Sequence, residues 1–275
     1  MGRVKEHIVT QFAAPTGTVE DIWTLDVGRL TFDAGLVMLG GSGQVLSPIT
    51  ATLIRHERGL VLFDTGLDPA AAGRAVEEFG ELASMFEMLY TPEQRVDAQI
   101  QLMGFDPAEV THVLISHSHF DHSGGMRLFP NAKFYIGAPD LQYVFWPDPF
   151  PTAFCRWEDF QAVKSHEWHP VRGDLDLFGD GSIVFLELPG HTPGNHGLMV
   201  RLADETILIT GDTIHLAAAL ENRFPMGGDH NTSDTVRSID RLRQLRDSHD
   251  AAVWVTHDPI SIDAHGGFGR YRGRR

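Results

Sequence analysis

The sequence His117-Ser118-His119-Phe120-Asp121-His122 follows directly on Val113-Leu114-Ile115, an apolar run whose composition predicts a buried strand. In a loop that leaves a strand, His117 and His119 can point to one side, whereas Asp121 and His122 face a neighbouring point. Imidazole and carboxylate ligands suit zinc, and also iron, cobalt and manganese. The stretch therefore predicts two adjacent sets of metal ligands, one of imidazoles alone and one mixed with carboxylate.

Three more loops carry residues of the same kinds, each directly after a predicted strand. His191 lies in Pro-Gly-His-Thr-Pro-Gly, Asp212 in Gly-Asp-Thr, and His257 in Val-Thr-His-Asp. Since α/β proteins place their sites at the carboxyl ends of strands, we expect these residues to converge with the 117–122 stretch at one edge of a sheet. Seven candidate ligands are more than one four-coordinate ion uses, so the sequence predicts two metal ions.

The rest of the chain alternates strands and helices, which predicts an α/β fold in one domain of residues 1–275. We place the folded core at about residues 20–260 and a basic tail at residues 266–275. Apolar runs bounded by turn residues predict strands at 49–54, 60–63, 113–115, 133–136, 183–188, 198–202, 206–210 and 252–255. Helical spacing and capping residues predict helices at 69–90, 92–103 and 235–248.

The composition excludes several classes of function. The chain has 37 acidic and 22 basic residues, and its formal charge of −15 repels nucleic-acid phosphates. No stretch reaches the ~18 charge-free apolar residues of a membrane helix, and residues 1–7 lack the apolar core of a signal peptide. The single cysteine, Cys155, excludes an internal disulfide and fits a reducing compartment. We expect a cytoplasmic protein that acts on a small molecule, with no nucleic-acid or membrane partner and with a homodimer left open.

The motifs, taken in order from about residue 45 to 260, resemble those of the metallo-β-lactamase superfamily. The resemblance implies a four-layer αββα sandwich with two divalent metal ions at one edge, zinc being favoured over manganese, cobalt or iron. It assigns the first metal to His117, His119 and His191, the second to Asp121, His122 and His257, and a bridging position to Asp212. Asp64, in an Asp-Thr-Gly turn after the 60–63 strand, would orient one of the ligand histidines.

Within the superfamily, the chain is most similar to the N-acyl-homoserine lactonases. The similarity lies in residues 92–94, 101–107, 119–125 and 129–132. It implies a hydrolase in which a hydroxide that bridges the two metals attacks the lactone carbonyl, while Asp121 carries a proton to the leaving ring oxygen. The alternatives are a hydrolase of another ester, lactam or phosphotriester with the same site, a redox diiron protein, and a binding protein with a degenerate site.

The chain departs from the lactonases three residues after Asp212. The lactonases usually have a tyrosine there, whose hydroxyl donates a hydrogen bond to the substrate carbonyl, and this chain has His215. A neutral imidazole N–H donates to the same oxygen, so we assign His215 a catalytic role beside Asp121, with packing under the adjoining loop as the alternative. An aromatic segment predicts either a wall for an acyl chain or ordinary packing, and it contains Phe145, Trp146, Phe150, Phe154 and Trp157.

Overall fold

Apolar side chains continue on both faces of the central strands, so each sheet needs a packed layer on either side. Val61 and Phe63 point into the space between two sheets, whereas Leu60 and Leu62 point towards helices on the outside. The computed structural model of the protein describes residues 15–149 and 151–273. Its two sheets stack face to face with helices on both outer faces, which confirms the four-layer αββα sandwich.

The described residues form twelve strands in two sheets. In chain order the strands are β1 (Asp21–Asp33), β2 (Gln44–His56), β3 (Gly59–Phe63), β4 (Val110–Ile115), β5 (Lys133–Gly137), β6 (Glu167–Val171), β7 (Leu175–Asp176), β8 (Ile183–Glu187), β9 (His196–Arg201), β10 (Thr206–Ile209), β11 (Ala252–Trp254) and β12 (Gly269–Arg270). The first sheet has the order β12-β1-β2-β3-β4-β5-β6 and the second β11-β10-β9-β8-β7. Each predicted strand lies within or overlaps one of these.

The strand directions bring several strand ends to one edge of the sandwich. In the first sheet, β3 and β4 pair in parallel. In the second, β10 and β11 are parallel, and β8 runs in their direction because both β8 and β10 are antiparallel to β9. The loops that follow β3 and β4 therefore meet one another, as do the loops that follow β8, β10 and β11.

The helices cover the two outer faces and the strand-end loops. In chain order they are α1 (Ala34–Val37), α2 (Ala75–Phe79), α3 (Glu81–Phe86), α4 (Val96–Leu102), α5 (Phe120–Ser123), α6 (Ala138–Tyr143), α7 (Trp157–Ala162), α8 (Ala218–Asn222), α9 (Thr232–His249) and α10 (Pro259–Ala264). Residues of α2, α3 and α4 pack on the outer face of the first sheet, and residues of α8 and α9 pack on that of the second.

Two of the three predicted helices are shorter or broken. The predicted helix 69–90 is instead a 3-10 turn followed by α2 and α3, because Gly80 between them has φ of +56° and Glu87 ends α3 with φ of +43°. The predicted helix 92–103 is a 3-10 turn and then α4, separated by Arg95, whose ψ of 138° is not helical. The predicted helix 235–248 is α9, which starts three residues earlier because the Asn231 side chain caps it.

Part of the predicted basic tail at 266–275 packs onto the sandwich. Gly269 and Arg270 form β12, which pairs with β1, and Arg270 also contacts Asp21. Tyr271 packs against the apolar residues between the sheets. Arg274 and Arg275 lie outside the described residues. No helix in the described part of the chain has the length and apolar character needed to cross a membrane.

Candidate metal centre

The predicted ligands come together where the ends of β4, β8, β10 and β11 meet. His117 to His122 follow β4, His191 follows β8, Asp212 follows β10 and His257 follows β11. All seven predicted ligands are buried, with no more than 6% of any residue exposed. This convergence brings together polar groups that lie up to about 140 positions apart in the sequence.

The first group consists of three imidazoles. His117, His119 and His191 each offer a ring nitrogen, and these atoms lie within 4.8 Å of one another. The Nδ1 atom of His119 lies 3.1 Å from the Nε2 atom of His191. This is the set of residues that the sequence predicts for the first metal.

The second group combines one carboxylate with two imidazoles. The Nε2 atoms of His122 and His257 lie 3.3 Å apart, and Oδ2 of Asp121 lies 3.7 Å from each of them. Its members are those predicted for the second metal.

The side chain of Asp212 lies between the two groups, with one oxygen facing each. Its Oδ2 atom is 3.7 Å from Nε2 of His117 and 3.6 Å from Nε2 of His191. Its Oδ1 atom is 3.4 Å from Nε2 of His122 and 3.3 Å from Nε2 of His257. Asp212 is therefore positioned to serve both groups.

The outward-facing ring nitrogens of three ligand histidines have their own partners. Nδ1 of His122 lies 2.9 Å from Oδ2 of Asp64, and Nδ1 of His257 lies 2.9 Å from the carbonyl oxygen of Pro48. Nδ1 of His191 lies 3.1 Å from Oδ1 of Asp229. An Nδ1–H that donates to oxygen leaves the lone pair of a neutral ring on Nε2, which in each case points into the centre.

The donor set fits cations. When both rings are neutral, the Nε2 lone pairs of His122 and His257 face each other at 3.3 Å and repel unless a positive charge, such as a metal ion, lies between them. Tetrahedral zinc with Zn–N bonds of about 2.0–2.1 Å separates its ligand atoms by about 3.3–3.4 Å, which matches this spacing. Buried Nε2 of His117 and Oδ1 of Asp212 also have no hydrogen-bond partner among the described residues.

The two groups differ in charge. Burial lowers the pKa of His117 and of His119 well below the usual value, so both rings are neutral. Burial acts in the same direction on His122, but the nearby carboxylates of Asp212, Asp121 and Asp64 outweigh it and raise the pKa of His122. The carboxylates thus favour a positive charge in the second group, either a proton on His122 or a bound cation.

A cavity with apolar walls opens above the centre. Its polar floor includes His119, Asp121, Asp212, His215 and His257. Its apolar walls are Leu30, Phe32, Leu36, Val37, Phe86, Phe120, Phe154 and Met226. The walls come from the β1–β2 hairpin with its α1 helix, from α3 and from the loops after β4, α6 and α8.

The aromatic segment contributes less to this cavity than a wall of several residues would. Phe154 is buried and lines it, whereas Trp146 is 89% exposed and is not part of the lining. Phe145 and Trp157 are exposed as well, and Phe150 lies outside the described residues. The walls are instead formed mainly by residues before position 90.

His215 lies in the cavity floor, next to Asp212. Its Nε2 atom is 3.1 Å from Oδ2 of Asp212, and its buried Nδ1 atom has no partner among the described residues. Burial lowers the pKa of His215, so the ring is neutral at pH 7. The side chain thus lines the cavity, next to the carboxylate that the two groups share.

Two buried or partly buried carboxylates support the site without having been predicted. Asp229 contacts His191 and accepts a hydrogen bond from the backbone of Met226. Asp140, in the first turn of α6, accepts three hydrogen bonds from the two loops that carry His117, His119 and His191. The sequence offers only weak signals for these two residues. Asp229 lies in a Gly-Gly-Asp-His loop, and Asp140 follows a predicted strand.

A profile of the metallo-beta-lactamase superfamily matches residues 45–257. The chain belongs to this superfamily. It is 33% identical over 225 residues to an N-acyl homoserine lactonase, AttM, of Rhizobium radiobacter, a match that covers 80% of this chain and 85% of the relative. The profile match covers the part of the chain in which the sequence motifs resemble this superfamily.

Solved structures of lactonases have the same fold. An N-acyl homoserine lactone hydrolase, with the product N-hexanoyl-L-homoserine at its catalytic metal centre, superposes with a TM-score of 0.79 at 21% identity, covering 91% of this chain and 98% of the other. AidC, a dizinc quorum-quenching lactonase, superposes with a TM-score of 0.65 at 18% identity, covering 90% and 92%. At these identities the likeness concerns the fold alone.

Proposed function

We propose that this chain is a metal-dependent hydrolase that opens lactone rings, with N-acyl-homoserine lactones as the leading substrate class. The main support is that two groups of ligand-type side chains share Asp212 at the floor of an apolar cavity, in a chain 33% identical to an N-acyl homoserine lactonase. A polar centre under apolar walls suits a substrate with a polar ring and an acyl chain.

The proposed ligand sets follow the two groups. The first ion is held by His117, His119 and His191, the second by Asp121, His122 and His257, and Asp212 is shared. We propose zinc as the metal, because it accepts imidazole and carboxylate ligands equally well at low coordination number. When bound, two such ions would supply a water activated near neutral pH and an electrophile for the lactone carbonyl.

The chain's own residues orient and move protons in this reaction. Asp64, the Pro48 carbonyl and Asp229 keep three ligand histidines in one tautomer. Water adds to the carbonyl carbon, the bond from that carbon to the ring oxygen breaks, and the product is a hydroxy acid. Asp121 at the cavity floor takes the proton from the water and delivers it to the leaving ring oxygen.

His215 is proposed to bind the substrate carbonyl. A neutral ring with its hydrogen on Nε2 donates to Asp212, 3.1 Å away, and a carbonyl oxygen above the floor competes for the same hydrogen. The acyl chain is proposed to lie against Leu30, Phe32, Phe154 and Met226.

The remaining part of the proposal concerns the compartment. Cys155 is buried, and burial raises the pKa of its thiol to about 12, so the thiol is unreactive. One unpaired, unreactive cysteine supports a reducing compartment, and we propose the cytoplasm.

A substrate panel with metal analysis tests the proposal. The purified chain, reconstituted with zinc, is assayed against acyl-homoserine lactones, γ- and δ-lactones, an aryl ester, a β-lactam and a phosphotriester, and its metal content is measured. We expect about two ions per chain and the highest kcat/KM for lactones. The variant His122→Ala should lose one ion and most of the turnover. Brisk phosphotriester or β-lactam turnover without lactone turnover, or one ion or fewer per chain, would contradict the proposal.

A further inference from the structure

Asp140 is a fully buried carboxylate in the first turn of α6, and it contacts none of the proposed ligands directly. Its Oδ2 atom accepts hydrogen bonds from the backbone N–H of Ser118 at 2.8 Å and from the hydroxyl of Thr192 at 3.0 Å. Its Oδ1 atom accepts one from the backbone N–H of Gly194 at 2.7 Å. The three donors are uncharged groups.

These donors belong to the two loops that supply the first group of imidazoles. Ser118 lies between His117 and His119, and Thr192 follows His191. One carboxylate therefore joins the loop after β4 to the loop after β8, which belong to different sheets. The second group has no comparable bond to Asp140, since its histidines are fixed by Asp64 and Pro48.

The backbone around Asp140 is in tight contact with the loop that it binds. A Cβ atom on Gly137 would lie 2.1 Å from the carbonyl oxygen of Gly194, and one on Gly194 would lie 2.7 Å from the backbone nitrogen of Asp140. Because only glycine fits at both positions, the start of α6 packs backbone against backbone with the loop of residues 191–194.

A buried carboxylate without a cationic partner is costly, and burial raises the pKa of Asp140 to about 6. A neutral side chain would fill the same space at a lower cost, but it would not accept hydrogen bonds from all three donors. A negative charge at this position therefore favours the observed arrangement of the two loops.

We propose that Asp140 is a positioning residue that holds the His117–His119 loop and the His191 loop in register and thereby sets the affinity of the first cation site. It acts through Ser118, Thr192 and Gly194 and does not touch the ion. The inference rests on the proposed two-metal site and is independent of the identity of the substrate.

Metal titration of Asp140→Asn tests the inference. The amide keeps the shape of the side chain but turns an NH2 group towards one of the three donors, so at least one hydrogen bond is lost. We expect affinity for one of the two ions to fall by about 10–100-fold, as for other residues that orient ligands, while affinity for the other is unchanged. Affinities are measured by competition of zinc between the purified protein and a chelator.

Reference variants identify the site that is weakened. Cobalt-loaded His119→Ala and His122→Ala supply the absorption spectra of proteins that lack the first and the second ion. Half-loaded Asp140→Asn should give the spectrum of His119→Ala. The matched control is Asp159→Asn, which neutralises a buried carboxylate on α7 and should keep both affinities.

Three results would overturn the inference. They are wild-type affinity for both ions in Asp140→Asn, equal weakening of both ions, and a half-loaded spectrum that matches His122→Ala. If circular dichroism shows that Asp140→Asn does not fold, the variant Thr192→Val is used instead. It removes only one of the three donors, so the affinity of the first site should fall by a smaller factor. Unchanged affinity in that variant counts against the inference. If the wild type binds two ions but does not hydrolyse lactones, the proposed substrate class is contradicted and this inference still holds.

Discussion

Nδ1 of His122 lies 2.9 Å from Oδ2 of Asp64, and both side chains are completely buried. The other oxygen of Asp64 accepts a hydrogen bond from the backbone N–H of Ser116 at 2.7 Å. Asp64 adopts φ of +61°, a left-handed conformation that aspartate and asparagine tolerate better than most residues. The carboxylate thus fixes both the tautomer of His122 and the start of the 117–122 stretch, which carries the first four predicted ligands.

Replacement of Asp64 by asparagine should selectively lower the affinity for the second ion. If the amide oxygen keeps the bond to Ser116, its NH2 group faces His122 Nδ1, and the ring hydrogen is driven onto Nε2, where it blocks the ligand lone pair. We expect affinity for the second ion to fall about 10–100-fold with the first ion retained, the opposite of the pattern for Asp140→Asn. Chelator competition measures it, and equal loss of both ions would contradict the tautomer argument.

The ligand set could be predicted from the sequence because each ligand follows a strand with a clear apolar pattern. The strand predicted at 206–210 is observed at Thr206–Ile209, and Asp212 follows it at the expected edge. Short elements without a period escaped prediction, such as the two-residue strand β12. The hydrogen bond that the Thr192 hydroxyl donates to Asp140 spans 52 positions and depends on how two sheets stack, and no local pattern in the sequence encodes it.

The helix predicted over 69–90 shows why spacing alone was insufficient there. Phe79, Leu82 and Phe86 are buried as the helical period requires, but Val76 of the same set is 67% exposed. Gly80 with φ of +56° separates two short helices and turns the second one, so the buried residues of both still face the sheet. A glycine within a helical pattern is compatible with either outcome.

His215→Ala tests the proposed bond to the substrate. Loss of one hydrogen bond to a developing negative charge should lower kcat/KM for lactones by roughly 10–100-fold. Metal content should be unchanged, and His215→Tyr should recover part of the loss because a phenol also donates. Full activity in the alanine variant would make His215 a bystander, whereas loss of an ion would make it a ligand, as its place beside His191 and Asp212 allows.

Phe154→Ala tests the proposed acyl wall. Because Phe154 lines the cavity, its removal should lower kcat/KM more for long-chain lactones than for short-chain ones. The loss should reach up to about 0.8 kcal/mol for each methylene that loses contact. The matched control is Trp146→Ala, whose side chain is 89% exposed and should leave chain-length preference unchanged. The measurement is kcat/KM over a series of acyl lengths. Metal content is followed in the same samples, since the Phe154 ring lies 5.6 Å from the His119 ring.

Asp159 provides a test of the fold that does not involve the metal centre. Burial raises the pKa of this carboxyl from 3.8 to about 7, although Arg156 at 3.7 Å opposes the shift, and its Oδ2 atom has no hydrogen-bond partner among the described residues. The folded protein therefore binds a proton here at pH values where the unfolded chain does not. It follows that the contribution of Asp159 to the free energy of unfolding decreases as the pH rises from about 4 to about 7.

Asp159→Asn should remove this dependence. At pH 8 the free energy of unfolding of the variant should exceed that of the wild type by an amount on the order of a few kcal/mol. The variant should therefore unfold at a higher temperature. The difference should disappear towards pH 4, where the wild-type carboxyl is protonated in the folded state. Thermal unfolding of metal-free wild type and variant side by side measures it, since titrations shared by the two proteins cancel in the difference. A variant that is less stable than the wild type at pH 8 would show that the ion pair with Arg156 outweighs the cost of burial.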